Sequence, residues 1–104
     1  MTQESWNRLS LFEQLSNIDG EVKRLVEAHE AFLSGNSQTD HSDFYIDKID
    51  RLIRMTVFDP KNSAKGYREL ELMDELNEIK DYLAGKESAD YIMRYWNQYT
   101  NAIS

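Results

Sequence analysis

Five carboxylates crowd one side of a single helix-forming segment. Winding residues 67–84 at about 100° each brings Glu71, Asp74, Glu75, Glu78 and Asp81 into one arc, together with Tyr67 and Tyr82. No Lys or Arg falls inside it. Glu71–Glu75 and Asp74–Glu78 are like-charge i,i+4 pairs, each costing an isolated helix a few tenths of a kcal/mol. Two accounts suit such an arc. It is a docking surface for a basic partner, with the tyrosines adding contact area, or a face neutralised across helices by residues such as Lys23, Arg24 or Arg51. A second acidic stripe, Asp43, Asp47 and Asp50, is answered locally, because Arg51 and Arg54 follow Asp47 and Asp50 by four residues. Acids lead and bases follow, which suits both the pairing and the helix dipole.

Carboxylates also hold metals. Small all-α nucleotide pyrophosphohydrolases use Glu-x-x-Glu on one helix and Glu-x-x-Asp on another to bind Mg²⁺, and Glu27-Ala-His-Glu30 and Glu78-Ile-Lys-Asp81 have that spacing. Glu27 and Glu30 fall opposite the apolar stripe of their helix, however, and Glu78 and Asp81 lie largely away from theirs. Acids aimed at solvent from separate helices do not close the octahedral oxygen shell Mg²⁺ requires. His29 occupies the centre of an apolar stripe and His41 a loop, and neither lies beside a Ser or Cys nucleophile arrangement. A hydrogen-bonded core histidine is the expectation for His29. No catalytic residue, metal ligand or cofactor is expected. A helix-turn-helix around Gly85 would turn Lys80, Lys86 and Arg94 toward the core, so DNA reading is not expected either.

The elements that must position these residues follow from one repeating period. Leu11, Leu15, Ile18, Val22, Leu25, His29 and Phe32 form a 4-3-4-3-4-3 series, the mark of a helix rather than a strand. Ser5 is the expected N-cap and Ser34-Gly35-Asn36-Ser37 the stop. The result is a helix over 6–34, about 43 Å long, with Gly20 as a potential kink. A second helix spans 42–58, with Tyr45, Ile46, Ile49, Leu52 and Ile53 inward and Asp59-Pro60 as its end. A third spans 63–84 on Leu72, Leu76, Ile79 and Leu83, stopped by Gly85. A fourth spans 88–103, capped by Ser88, with Ile92, Trp96, Tyr99 and Ile103 on one face. Short connections and 4-3 spacing predict an all-α, four-helix antiparallel bundle-like single domain over 1–104 with a long first helix.

Composition narrows the function classes. The chain of 104 residues is long enough for one core and carries 19 acids against 12 bases, a net charge of −7, with no cysteine. That balance argues against direct nucleic-acid binding, which relies on basic surface. No apolar run approaches membrane length, and the N-terminal residues lack a signal-peptide pattern, so a cytoplasmic protein is expected. Apolar surface exceeds one stripe. Trp6, Leu9 and Phe12 lie roughly opposite Leu11, Leu15 and Ile18, and Tyr91 and Tyr95 flank the stripe of the fourth helix. Either the fourth helix covers the first patch or these residues meet another chain. The expected function is a non-catalytic protein–protein interaction module. In its sharper form it is an acidic inhibitor that occupies the basic groove of a nucleic-acid-handling protein. The Mg²⁺-dependent hydrolase and a purely structural homo-oligomer are the alternatives.

Overall fold

The computed structural model describes residues 1–63 and 68–103, with side chains 68–71, 99–100 and 102–103 outside that description. The described residues form six helices and no strand: α1 (Gln3–Asn7), α2 (Leu11–Leu33), α3 (Ser42–Phe58), α4 (Pro60–Ser63), α5 (Arg68–Leu83) and α6 (Ala89–Ile103). The fold is all-α, and it has more pieces than four.

The expected first helix over 6–34 is two helices, and the break falls before Leu11 rather than at Gly20. Two capping boxes cause it. Thr2 caps α1 with Ser5 as its reciprocal partner, so Ser5 sits inside the helix instead of starting it. Ser10 then starts α2: its hydroxyl accepts the Glu13 N–H at 3.1 Å, and the Glu13 carboxylate accepts the Ser10 N–H at 3.0 Å. Each box satisfies helix-end donors that a continuous helix would have used internally. Helix α2 then runs unbroken through Gly20, where an added Cβ would meet only an Arg24 nitrogen at 4.0 Å. Gly20→Ala should therefore raise stability by about 0.5–1 kcal/mol, read as a higher denaturant midpoint.

The second expected helix matches α3. Asp59 ends it in extended backbone, φ −67° and ψ 121°, as the residue before a proline must. Asp59 also starts α4, its carboxylate accepting the Lys61 N–H at 3.1 Å, with Pro60 as the first helical residue. The third expected helix, 63–84, is described from Arg68 to Leu83 as α5; Ser63 belongs to α4, and Tyr67 lies outside the described residues. Ser88 caps α6 by accepting the Tyr91 N–H at 3.0 Å. Gly35 and Gly85, both at φ 82°, close α2 and α5 in the same way. The N–H two residues past each helix cap returns to a carbonyl five residues back, Asn36 to Ala31 and Lys86 to Asp81, both at 2.9 Å.

The longer helices pack in a ring: α2 touches α3 and α6, and α5 touches α3 and α6. The short α1 lies on α3, and α4 bridges α3 to α5. Leu15, Ile18, Val22 and Leu25 of α2 meet Ile49 and Ile53 of α3, Leu72, Leu76 and Ile79 of α5, and Ile92 and Trp96 of α6 in one core. Leu76→Ala and Ile49→Ala should each cost about 2–4 kcal/mol, checked by equilibrium unfolding. Among the described residues no helix is long and apolar enough to cross a membrane.

Candidate functional site

The acidic arc of α5 is divided by its neighbour α6. Asp74 is exposed and Glu78 and Asp81 are half-buried, but Glu75 retains only 2% exposure. The Glu71 and Tyr67 side chains lie outside the described residues. The burial of Glu75 has a plain cause. Tyr95 of α6 lies over it, its hydroxyl hydrogen-bonded to the Glu75 carboxylate, and Tyr91 stacks on Tyr95 with centroids 5.8 Å apart. Burial and the charge of Glu75 push the Tyr95 hydroxyl up to about 12. Burial, then Glu78 and Glu87, raises Tyr91 as well. Among the described residues, the tyrosines beside these acids are therefore Tyr91 and Tyr95.

Glu78 sits at the crowded centre of what remains. Burial raises its carboxyl above the usual value, and the charges of Glu87, Asp81 and Asp74 raise it further. Its buried Oε2 has no hydrogen-bond partner. Lys86 approaches Asp81 at 4.0 Å. The basic residues expected to neutralise the arc are engaged elsewhere or turned away. Lys23 pairs with Asp19 at 3.2 Å, Arg24 with Glu21 at 2.8 Å, and Arg51 makes no ion pair among the described residues. Tyrosine ionisation gives a direct check on this geometry. The unfolded chain ionises Tyr95 near pH 10, whereas the folded chain holds its proton until about 12. Stability should fall as pH rises through that window, and absorbance titration should show late-ionising tyrosine.

Tyr82 belongs to another cluster. It is buried, its hydroxyl donates to Glu30 Oε1 at 2.9 Å, and its ring meets His29 edge-on at 5.3 Å. Burial and the Glu30 hydrogen bond raise its hydroxyl above the usual tyrosine range. His29 is a buried histidine held by hydrogen bonding, with Nδ1 2.9 Å from Asp40 Oδ2. The other Asp40 oxygen accepts the Ser42 N–H at 3.0 Å, at the start of α3. Burial acts to raise the Asp40 carboxyl, but Ser42 and His29 outweigh it and leave it lowered. Ser42 thus bonds the carboxylate and not the imidazole, the wrong order for a nucleophile activated by a base. Glu30 faces Tyr82 while Glu78 faces Glu87 and Asp74. Among the described residues no three His or carboxylate side chains gather as a metal site.

Trp6 itself is covered, by α3 rather than by the last helix. Trp6 is 1% exposed and its indole N–H donates to Thr56 Oγ1 at 3.0 Å, while Leu9 is half-buried and Phe12 is 41% exposed. Tyr95 is half-buried and Tyr91 is 38% exposed. Beneath Trp6 lies a polar network that apolar periodicity did not reveal. Gln14 Nε2 donates to the Trp6 carbonyl at 2.9 Å and to Asp59 Oδ2 at 2.8 Å. Asn62 Nδ2 donates to Gln14 Oε1 and to the Thr56 carbonyl, both at 2.9 Å. Lys61 completes it, pairing with Asp59 and reaching the Asn7 carbonyl at 3.1 Å. One signal pointed to it: Gln14 is polar yet lies three residues after Leu11 and four before Ile18, on the same side of α2.

No family model matches the chain, and neither a curated protein nor a solved structure matches it.

Proposed function

We propose that the chain is a non-catalytic protein-interaction module that docks a basic partner through the α5–α6 face, built from Asp74, Glu78, Asp81, Glu87 and Tyr91. The observation that carries this reading is the setting of Glu78, half-buried on α5 with a buried Oε2 that no described group hydrogen-bonds and the carboxylates of Glu87, Asp81 and Asp74 around it. Like charges gathered this way weaken the folded state, and a cationic partner removes the cost on binding. Tyr91 supplies an amphipathic ring at the edge of the same face. The sharper form is an acidic inhibitor seated in the basic groove of a nucleic-acid-handling protein, in keeping with a net charge of −7. Steep weakening with salt is its signature.

The test is Asp74→Lys combined with Glu78→Lys, at positions that are exposed or half-exposed. The fold should be as stable as the parent or slightly firmer. Basic proteins retained by the immobilised parent at low salt should be lost by the variant, and lost by the parent at high salt. A partner held equally by parent and variant would overturn the reading. So would a clear loss of stability with binding retained by the folded fraction.

A further inference from the structure

Helix α6 carries two stacked tyrosines at its surface. Tyr91 and Tyr95 are four residues apart, so they share one side of the helix, and their rings lie 23° from parallel with centroids 5.8 Å apart. Both line a surface hollow of about 300 Å³, together with Asp90, Arg94 and Gln98 of the same helix. That volume is at the small end of ligand pockets. It suits a single side chain better than a nucleotide.

The charges around the stack are unequal. Glu78, Glu87 and Glu75 act electrostatically on the Tyr91 hydroxyl, and Glu75 and Glu78 act on that of Tyr95. Arg94 is the base among the residues lining the hollow, and Asp90 pairs with it. The hollow itself therefore adds no net charge to the field of the three glutamates. An aromatic ring bordered by carboxylates draws a cation in two ways, through its π face and through their charge.

Cations differ in how well they use such a place. A lysine ammonium is a compact, strongly hydrated point charge, and it gains little from a ring it cannot lie flat upon. A guanidinium is planar and weakly hydrated. It stacks on an aromatic face while its N–H groups, in the same plane, reach acceptors at the sides. Gln98 brings an amide oxygen to the hollow, and Asp90 holds Arg94 through Oδ2 and keeps Oδ1. Docking by charge alone would treat lysine and arginine alike, whereas a ring with acceptors beside it does not.

We infer that the α6 hollow is an arginine subsite, in which one guanidinium of the basic partner lies on the Tyr91 ring beside Glu78 and Glu87. This rests on the docking reading above and adds to it the side chain that the face selects. The glutamates supply an attraction that any base shares and that salt weakens. Tyr91 supplies the choice of arginine.

Two synthetic peptides separate these parts: one with arginines spaced by glycines, the other with the same number of lysines. Calorimetric titration of the full chain at low salt should show both binding, the arginine peptide about three- to fivefold tighter, the size of one exposed cation–π contact. Tyr91→Leu should bind the two peptides equally, and Tyr91→Phe should keep the preference. Tyr91 is 38% exposed, so both variants should fold. Resonances of the Tyr91 ring in the parent give a reading that needs no variant, and the arginine peptide should move them further than the lysine peptide. Equal affinity of the parent for the two peptides overturns the inference and leaves the docking reading standing. Binding of neither overturns both. An arginine preference undiminished in Tyr91→Leu, or Tyr91 ring resonances that respond alike to both peptides, overturns the assignment to this hollow.

Discussion

Asp59→Ala should lower the free energy of unfolding by about 2–4 kcal/mol, more than a surface aspartate normally commands. Asp59 is 2% exposed, and its carboxylate accepts from Gln14 Nε2, the Lys61 N–H and the Lys61 ammonium. Removing it strands a buried amide N–H of Gln14 and an α4 backbone donor. Lys61, partly exposed, is rehydrated and contributes less to the loss. The pH dependence has a definite sign. Burial acts to raise the Asp59 carboxyl, but the bonds from Lys61 and Gln14 outweigh it and leave it lowered. A group whose folded value is lowered stabilises the fold above its unfolded value and loses that contribution as pH falls through the folded one. The gap between parent and Asp59→Ala in denaturant midpoint should therefore be full at pH 7 and narrow below about pH 4. A gap that is constant down to pH 3 would show that the charge on Asp59 contributes nothing.

The network around Asp59 also shows where sequence reading stops. Apolar periodicity located α3, and its end is a backbone fact: the ring of Pro60 pushes the preceding Asp59 out of helical backbone. It placed the core residues Leu76, Ile79, Ile92 and Trp96 because each stripe has one face. It missed the break before Leu11 because a stripe that keeps phase says nothing about a capping box formed by polar Ser10 and Glu13. The acidic arc was legible as an arc and not as an environment. Spacing puts Glu75 and Glu78 on one side of α5, but only the placement of α6 decides that Tyr95 buries the first and leaves the second at the edge. Trp6 is the same case. Its position opposite the α2 stripe required a continuous helix from Trp6 to Leu11, and the turn at Arg8–Leu9 swings it onto α3 instead.

Trp6→Ala should cost about 3–5 kcal/mol, the range for emptying a buried aromatic site. Most of that cost is packing. Thr56 loses the indole N–H at 3.0 Å but keeps its own hydroxyl bond to the Leu52 carbonyl at 2.7 Å, so no buried polar group is stranded. The loss has a ceiling, however. Helix α1 has five residues, too few to be helical alone, and it is tied down by Trp6, by Gln3 Nε2 on the Met55 carbonyl at 2.7 Å and by Lys61 on the Asn7 carbonyl. Once the cavity costs more than these ties return, α1 detaches and the remaining helices stay folded. Limited proteolysis should then cut the variant between α1 and α2 while the parent resists, and Trp6→Phe should stay protected. Trp96 is fully buried, so the fluorescence of Trp6→Ala should remain blue-shifted until global unfolding. An unchanged denaturant midpoint accompanied by a change in oligomeric state would reverse the assignment and return Trp6 to a contact between chains.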